Sequence, residues 1–194
     1  MIKKQALICN TLIFILEIIG FISYINRNRT MSMEYYTMDS NLLALITSLL
    51  YLMFYKKDKQ LVRDLRFITS SCLTITFLVV IFILAPMLNF NYKLLMLDQE
   101  FIMFHTLCPI ISILSYIFFE ERSDKNYIGF LFTIFYAFVL IILNIVNIVN
   151  GPYPFLRVKE QTIIMSLIWG IIIIGGSYFI GLSLNFMNKK IKGA

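Results

Sequence analysis

The chain has 194 residues, 59% of them hydrophobic and only 14% charged, with a mean hydropathy of +0.81 and a formal net charge of +6. A soluble domain carries about 25% charged residues, so this composition excludes ordinary soluble-enzyme chemistry. Nucleic acid is not implied by the positive charge, because the basic residues lie in short stretches between long apolar blocks, where they report membrane orientation.

Crossing a hydrocarbon core of about 30 Å takes about 20 helical residues. Six apolar blocks meet that length, at roughly 5–25, 35–55, 67–88, 102–119, 128–149 and 162–186. The first opens on Lys3-Lys4 like a signal peptide, but lacks a small-x-small cleavage pattern and is interrupted by Glu17. It reads as a retained helix. Glu17 falls near mid-membrane, the most costly depth for a charge, and is expected to be protonated or bonded to another helix.

The second block opens with Glu34-Tyr35-Tyr36-Thr37-Met38-Asp39-Ser40-Asn41. Thr37 reads either as a threonine bonding back to its own helix or as a reactive hydroxyl. Asp39 needs a partner or water, with Arg27, Arg29 and His105 as candidates. In the third block Ser70, Ser71 and Thr74 share a face suited to helix packing. The fourth opens with His105-Thr106-Leu107-Cys108-Pro109, and His105 is the only histidine in the chain. Pro109 has no N–H for the carbonyl of His105, so the helix should loosen there. The structural alternative is a histidine that simply reaches interfacial water.

The fifth block closes with Asn144, Asn147 and Asn150, three apart and so on one broad helical face. In the sixth, Gly170, Gly175, Gly176, Ser177 and Gly181 read as helix-packing residues. Runs such as Ile171-Ile172-Ile173-Ile174 are continuously apolar, unlike the alternating strands of a β-barrel.

The expected fold is all-α, one polytopic transmembrane domain of six helices over 1–194. With the N-terminus inside, Lys3, Lys4, Lys56, Lys57, Lys59, Arg63, Arg66, Arg122, Lys125, Lys189, Lys190 and Lys192 fall on the inner side. Arg27, Arg29, Lys93, Arg157 and Lys159 fall outside. Twelve against five predicts N-in, C-in topology, in the plasma membrane of a prokaryote. The longest polar connection is expected to be Lys56–Arg66. Polar residues and all four prolines gather in the outer half, and the inner halves read as plain.

Cys9, Cys72 and Cys108 lie within apolar blocks with no C-x-x-C spacing, so they predict neither a disulfide framework nor a redox motif. A single histidine and intramembrane cysteines assemble no standard zinc site. The reading therefore includes no metal, no cofactor and no nucleic-acid partner.

Three segments carry a family resemblance: Tyr35-Tyr36-Thr37-Met38-Asp39-Ser40-Asn41-Leu42, His105-Thr106-Leu107-Cys108-Pro109 and Gly151-Pro152-Tyr153-Pro154-Phe155-Leu156. In this order they resemble the androgen-induced-protein family of multipass membrane hydrolases, and more closely its bacterial six-helix relatives. The animal members cleave fatty-acid esters of hydroxy fatty acids with a threonine nucleophile and a histidine. The resemblance implies these roles for Thr37 and His105. It departs where the animal pattern has an acid three residues after the threonine; here Ser40 stands there and Asp39 one residue earlier.

The resulting expectation is an intramembrane lipid-ester hydrolase, with Thr37 as nucleophile and His105 as general base near the outer leaflet. Asp39, Ser40, Asn41, Asn144, Asn147 and Tyr153 would form the surrounding polar cluster, with Asp39 orienting the imidazole and Asn144 or Asn147 donating to an oxyanion. Its partners would be the bilayer and a lipid-like ester. Two rival readings stand beside it. One is a small-solute or vitamin-binding transport subunit, for which helix 1 offers few small docking residues beyond Ala6 and Gly20. The other is a non-catalytic membrane protein supporting assembly or signalling.

Overall fold

The computed structural model describes residues 2–30, 32–57 and 59–193. It is all-helical among them. Five helices are long and apolar enough to cross a membrane: α1 (Ile2–Asn28), α2 (Tyr36–Phe54), α3 (Gln60–Met87), α5 (Asn126–Ile145) and α6 (Ile163–Lys192). A shorter apolar helix, α4 (Ile102–Phe118), stands between α3 and α5. At 1.5 Å per residue it is about 25 Å long.

Helix α3 is the central element and α6 the peripheral one, with 56% and 6% of their apolar stretches buried. The packing faces of α3 are held by paired hydroxyls as well as by apolar contact. Thr69 meets Thr47 of α2 at 2.9 Å, Thr76 meets Ser40 of α2 at 3.0 Å, and Ser70 meets Ser112 of α4 at 2.9 Å. Small hydroxyl residues let helix backbones approach, and each such bond contributes about 0.6 kcal/mol in a membrane.

Two helices widen into π-helical turns beside a proline. In α3 the turn Val80–Leu84 precedes Pro86, and Ala85 N–H reaches Val80 O. In α4 the turn Ile102–Leu107 precedes Pro109, and Cys108 N–H reaches Met103 O, five residues back. The missing proline N–H is accommodated by shifting the ladder one residue. The loosening expected at His105 thus takes the form of a π turn that contains it.

Several boundaries differ from the expectation. Helix α3 begins at Gln60 instead of 67, so Arg63, Asp64 and Arg66 are helical and the polar connection is shorter than Lys56–Arg66. The ion pairs they make explain this: Arg66 and Asp64 are buried against partners described below. Helix α5 ends at Ile145, before 149. Asn147 adopts a left-handed conformation (φ 61°), and Ile148 N–H bonds Leu143 O at 2.9 Å. This six-to-one bond around a left-handed asparagine is a Schellman-type stop. The three asparagines therefore do not share a helical face.

In α6, a Cβ added at Gly170, Gly175 or Gly176 would meet nothing within 4 Å, so these glycines do not serve helix packing. They lie on the least buried helix, away from α3. Gly181 does pack, since a Cβ added there would lie 3.4 Å from the Phe67 ring, and Ser177 is buried.

Candidate functional site

Thr37 is the second residue of α2, with no preceding helical turn whose carbonyl its hydroxyl could use. Its Oγ1 instead lies 3.2 Å from Nε2 of His105, and both residues are buried. Nδ1 of His105 lies 2.5 Å from the carbonyl oxygen of Leu95. A carbonyl only accepts, so Nδ1 carries the proton and the neutral ring presents the Nε2 lone pair to the Thr37 hydroxyl.

The ring is fixed from two further directions. Phe101, one turn earlier, stacks on it at 4.9 Å with the planes 4° apart. Thr106 donates from Oγ1 to Met96 O at 2.7 Å, so His105 and Thr106 together fasten the turn Lys93–Leu97 over α4.

Asn41, one turn into α2, donates from Nδ2 to Thr37 O at 2.7 Å and to Phe104 O at 3.4 Å, tying α2 to α4 at the depth of the pair. Ser40 donates to Thr37 O at 3.1 Å. From the α5–α6 connection, the hydroxyl of Tyr153 accepts from Thr37 N–H at 3.5 Å. Tyr153 is buried, stacked on Phe155 at 5.2 Å, and burial pushes its phenol up to about 12. At neutral pH it is a protonated donor.

Thr37 borders two cavities. One of about 340 Å³ is lined by Tyr24, Arg27, Phe101, His105, Pro152 and Tyr153 among others, so its far wall is α1. The second, about 40 Å³, is almost wholly apolar, with Ile75, Val79, Val80, Ala137, Leu156 and Ile173 in its lining. Thr37 thus borders both a space with Arg27 and His105 in its lining and a smaller, apolar one.

Thr37, Ser40, Asn41, His105 and Tyr153 come together; Asp39, Asn144 and Asn147 do not join them. Asp39 lines a separate crevice with Glu34, Leu42 and Tyr136, and the imidazole nitrogen it was expected to orient is taken by Leu95 O. Arg27 pairs with Glu100 and lies 3.9 Å from Asp98. Asn144 donates to Val149 O at 3.2 Å, and Asn147 accepts from Lys159 Nζ at 2.5 Å; both serve the end of α5 and line neither cavity.

Sequence reasoning missed Leu95, whose contribution is a backbone carbonyl without sequence signature. Phe101 had a signal in its four-residue spacing from His105. Glu100 was also missed: it is buried, accepts from Arg27 and Ser23, and anchors the start of α4.

Glu17 is buried, with neither carboxyl oxygen bonded to a nitrogen or oxygen, and its polar neighbour is the Cys108 thiol. It lines neither cavity.

The opposite end of the bundle is not plain, contrary to the expectation. Arg66 and Glu120 form a buried pair, with Nε to Oε2 at 3.0 Å and Nη2 to Oε1 at 3.0 Å. Asn10 at 2.9 Å and Ser115 at 2.6 Å also donate to Glu120. Nearby, Asp64 accepts from Ser123 at 2.6 Å and Lys125 at 3.0 Å, while Asn188 of α6 donates to Tyr116 O and Glu120 O. Arg66 is thus a buried helical residue, not a loop cation.

No protein-family model, curated protein or solved structure matches the chain.

Proposed function

We propose that the chain is a six-span membrane protein, N-terminus and C-terminus inside, that hydrolyses lipid esters at the Thr37–His105 pair near the outer leaflet of a prokaryotic plasma membrane. The observation carrying this reading is the 3.2 Å contact between a buried hydroxyl and an imidazole whose other nitrogen is committed to a carbonyl at 2.5 Å. A threonine hydroxyl is a weak nucleophile until a positioned base accepts its proton, and this is the geometry such activation needs. The likeness of the three sequence segments to the androgen-induced-protein family supports the same assignment.

His105 Nε2 takes the hydroxyl proton as Thr37 Oγ1 attacks the ester carbonyl. The Tyr153 O–H, whose oxygen already faces the Thr37 amide, donates to the developing oxyanion. Collapse expels the alcohol, protonated by His105, and leaves an acyl-threonine. Water, deprotonated by the same imidazole, then releases the acid and restores the hydroxyl. The apolar 40 Å³ cavity suits the methylenes next to the carbonyl.

The test is hydrolysis of long-chain esters, and labelling by a fluorophosphonate probe, in wild type, Thr37→Ala, Thr37→Ser and His105→Ala. Both alanine variants should lose activity and labelling while remaining folded, and the serine variant should keep both. Activity or labelling undiminished in both alanine variants would sink the assignment.

A further inference from the structure

The end of α1 lines the larger Thr37 cavity through Tyr24, Arg27 and Asn28, and Arg27 stands in the last helical turn. Its guanidinium donates to Glu100, a buried carboxylate that also accepts from Ser23 Oγ at 3.4 Å. A buried carboxylate needs its counter-charge, so this pairing fixes where Arg27 stands. From there the guanidinium carbon lies over the Phe101 ring, 5.3 Å from its centre and within cation–π range. Phe101 in turn stacks on the His105 imidazole at 4.9 Å, with the planes 4° apart.

The hydrogen bond from Nδ1 to Leu95 O sets where that nitrogen points, but it leaves the imidazole able to tip about the bond. A parallel aromatic neighbour sets the tilt, and the tilt decides whether the Nε2 lone pair meets Thr37 Oγ1 at 3.2 Å. Phe101 is itself only half-buried and is part of none of the buried apolar clusters. Its orientation therefore rests on Arg27 as well as on His105. Besides Glu100, Asp98 lies 3.9 Å from Arg27 Nη1. The charge of Arg27 is thus matched, which suits it to hold a ring and not to capture an anionic substrate.

We infer that Arg27 is a positioning residue for His105, acting through Phe101. Glu100 holds the guanidinium, the guanidinium holds the Phe101 ring, and the ring holds the imidazole plane in line with Thr37 Oγ1. The consequence for rate rests on the proposed hydrolysis at Thr37; the effect on the imidazole does not.

His105 is the only histidine in the chain, so nitrogen-15 histidine labelling of the full chain in detergent reports on this one ring by NMR. In the neutral ring of wild type, Nδ1 should appear as a protonated nitrogen and Nε2 as a bare one, well separated. Arg27→Lys keeps a counter-charge for Glu100 but loses the planar guanidinium, and Phe101→Leu loses the stacking ring. In both variants the two signals should move towards each other as the loosened ring exchanges between tautomers. Their kcat on a long-chain ester should fall about tenfold with KM little changed, as for a misaligned base. Phe101→Tyr, which keeps the stacking face, should keep both readouts. The Arg27→Lys/Phe101→Leu variant should be no slower than Phe101→Leu alone, because Arg27 acts through that ring.

Unmoved ring signals in an Arg27→Lys variant that thermal melts show to be folded overturn the inference. So do kinetic losses that add in the double variant or appear as a raised KM, which would make Arg27 a substrate contact. A wild type without ester hydrolysis, but with ring signals that respond to the variants as stated, fails the proposed hydrolysis and leaves Arg27 as the residue that positions His105.

Discussion

The Tyr153 hydroxyl is the group on which the chemical reading of Thr37 can be pressed hardest. Its ring packs on Phe155 and its oxygen accepts from the Thr37 amide. Tyr153→Phe keeps the ring and removes only the O–H. If that O–H donates to the oxyanion, kcat on a long-chain ester falls about 10²-fold with KM little changed, as for loss of a single oxyanion donor. If Tyr153 merely packs, the kinetics are unaltered. Because burial holds the phenol near 12, it stays protonated across the whole working range. The contribution of Tyr153 should therefore be flat between about pH 6 and about pH 9.

At the scale of elements, the loop that carries Tyr153 depends on one glycine. A Cβ at Gly151 would lie 2.7 Å from Leu156 O and 2.8 Å from its carbonyl carbon. Those are backbone atoms and cannot swing aside. Gly151→Ala must open the turn that Leu156 N–H closes on Tyr153 O at 2.9 Å and that Arg157 closes on Gly151 O at 3.1 Å. We expect a cost of about 1–3 kcal/mol and a loss of ester hydrolysis as Tyr153 moves off Thr37. Gly176→Ala, which meets open space, should stay within about 0.5 kcal/mol of wild type. Thermal melts and activity of the two variants side by side check this contrast.

The same elements show what was legible in the sequence. Apolar runs marked every helix, and the pairing of Thr37 with His105 was readable because each opens its helix at the same end of the bundle. The loosening at His105 followed from one proline, whereas its π form came only with the structure. The end of α5 was misplaced because Asn147 looked like a member of a three-residue repeat, whereas its tolerance of left-handed backbone makes it a stop. Leu95 acts through its carbonyl, which any residue would supply. Arg66 and Glu120 were invisible as a pair because Arg66 read as the end of a polar connection and Glu120 carried no signal, and only the fold brings positions 54 apart within 3.0 Å.

Over the whole molecule, the two ends are specialised differently. One places a hydroxyl and an imidazole between cavities; the other binds α1, α3, α4 and α6 through the Arg66–Glu120 network, with Asn10 and Asn188 as the outlying donors. A buried ion pair is costly to break from one side and much cheaper to remove from both. Arg66→Met leaves the Glu120 carboxylate without its counter-charge and should cost about 3–5 kcal/mol. Adding Glu120→Gln removes the stranded charge and retains an acceptor for Asn10 and Ser115. The double variant should recover most of the loss, a coupling that a double-mutant cycle of thermal melts in detergent reads directly. Ester hydrolysis per folded molecule should be the same in both variants, because the network lines neither Thr37 cavity. Additive losses of stability would mean that the pair acts as two independent packing residues. A fall in activity tracking the double variant would mean that the two ends of the bundle are coupled through α3 and α4.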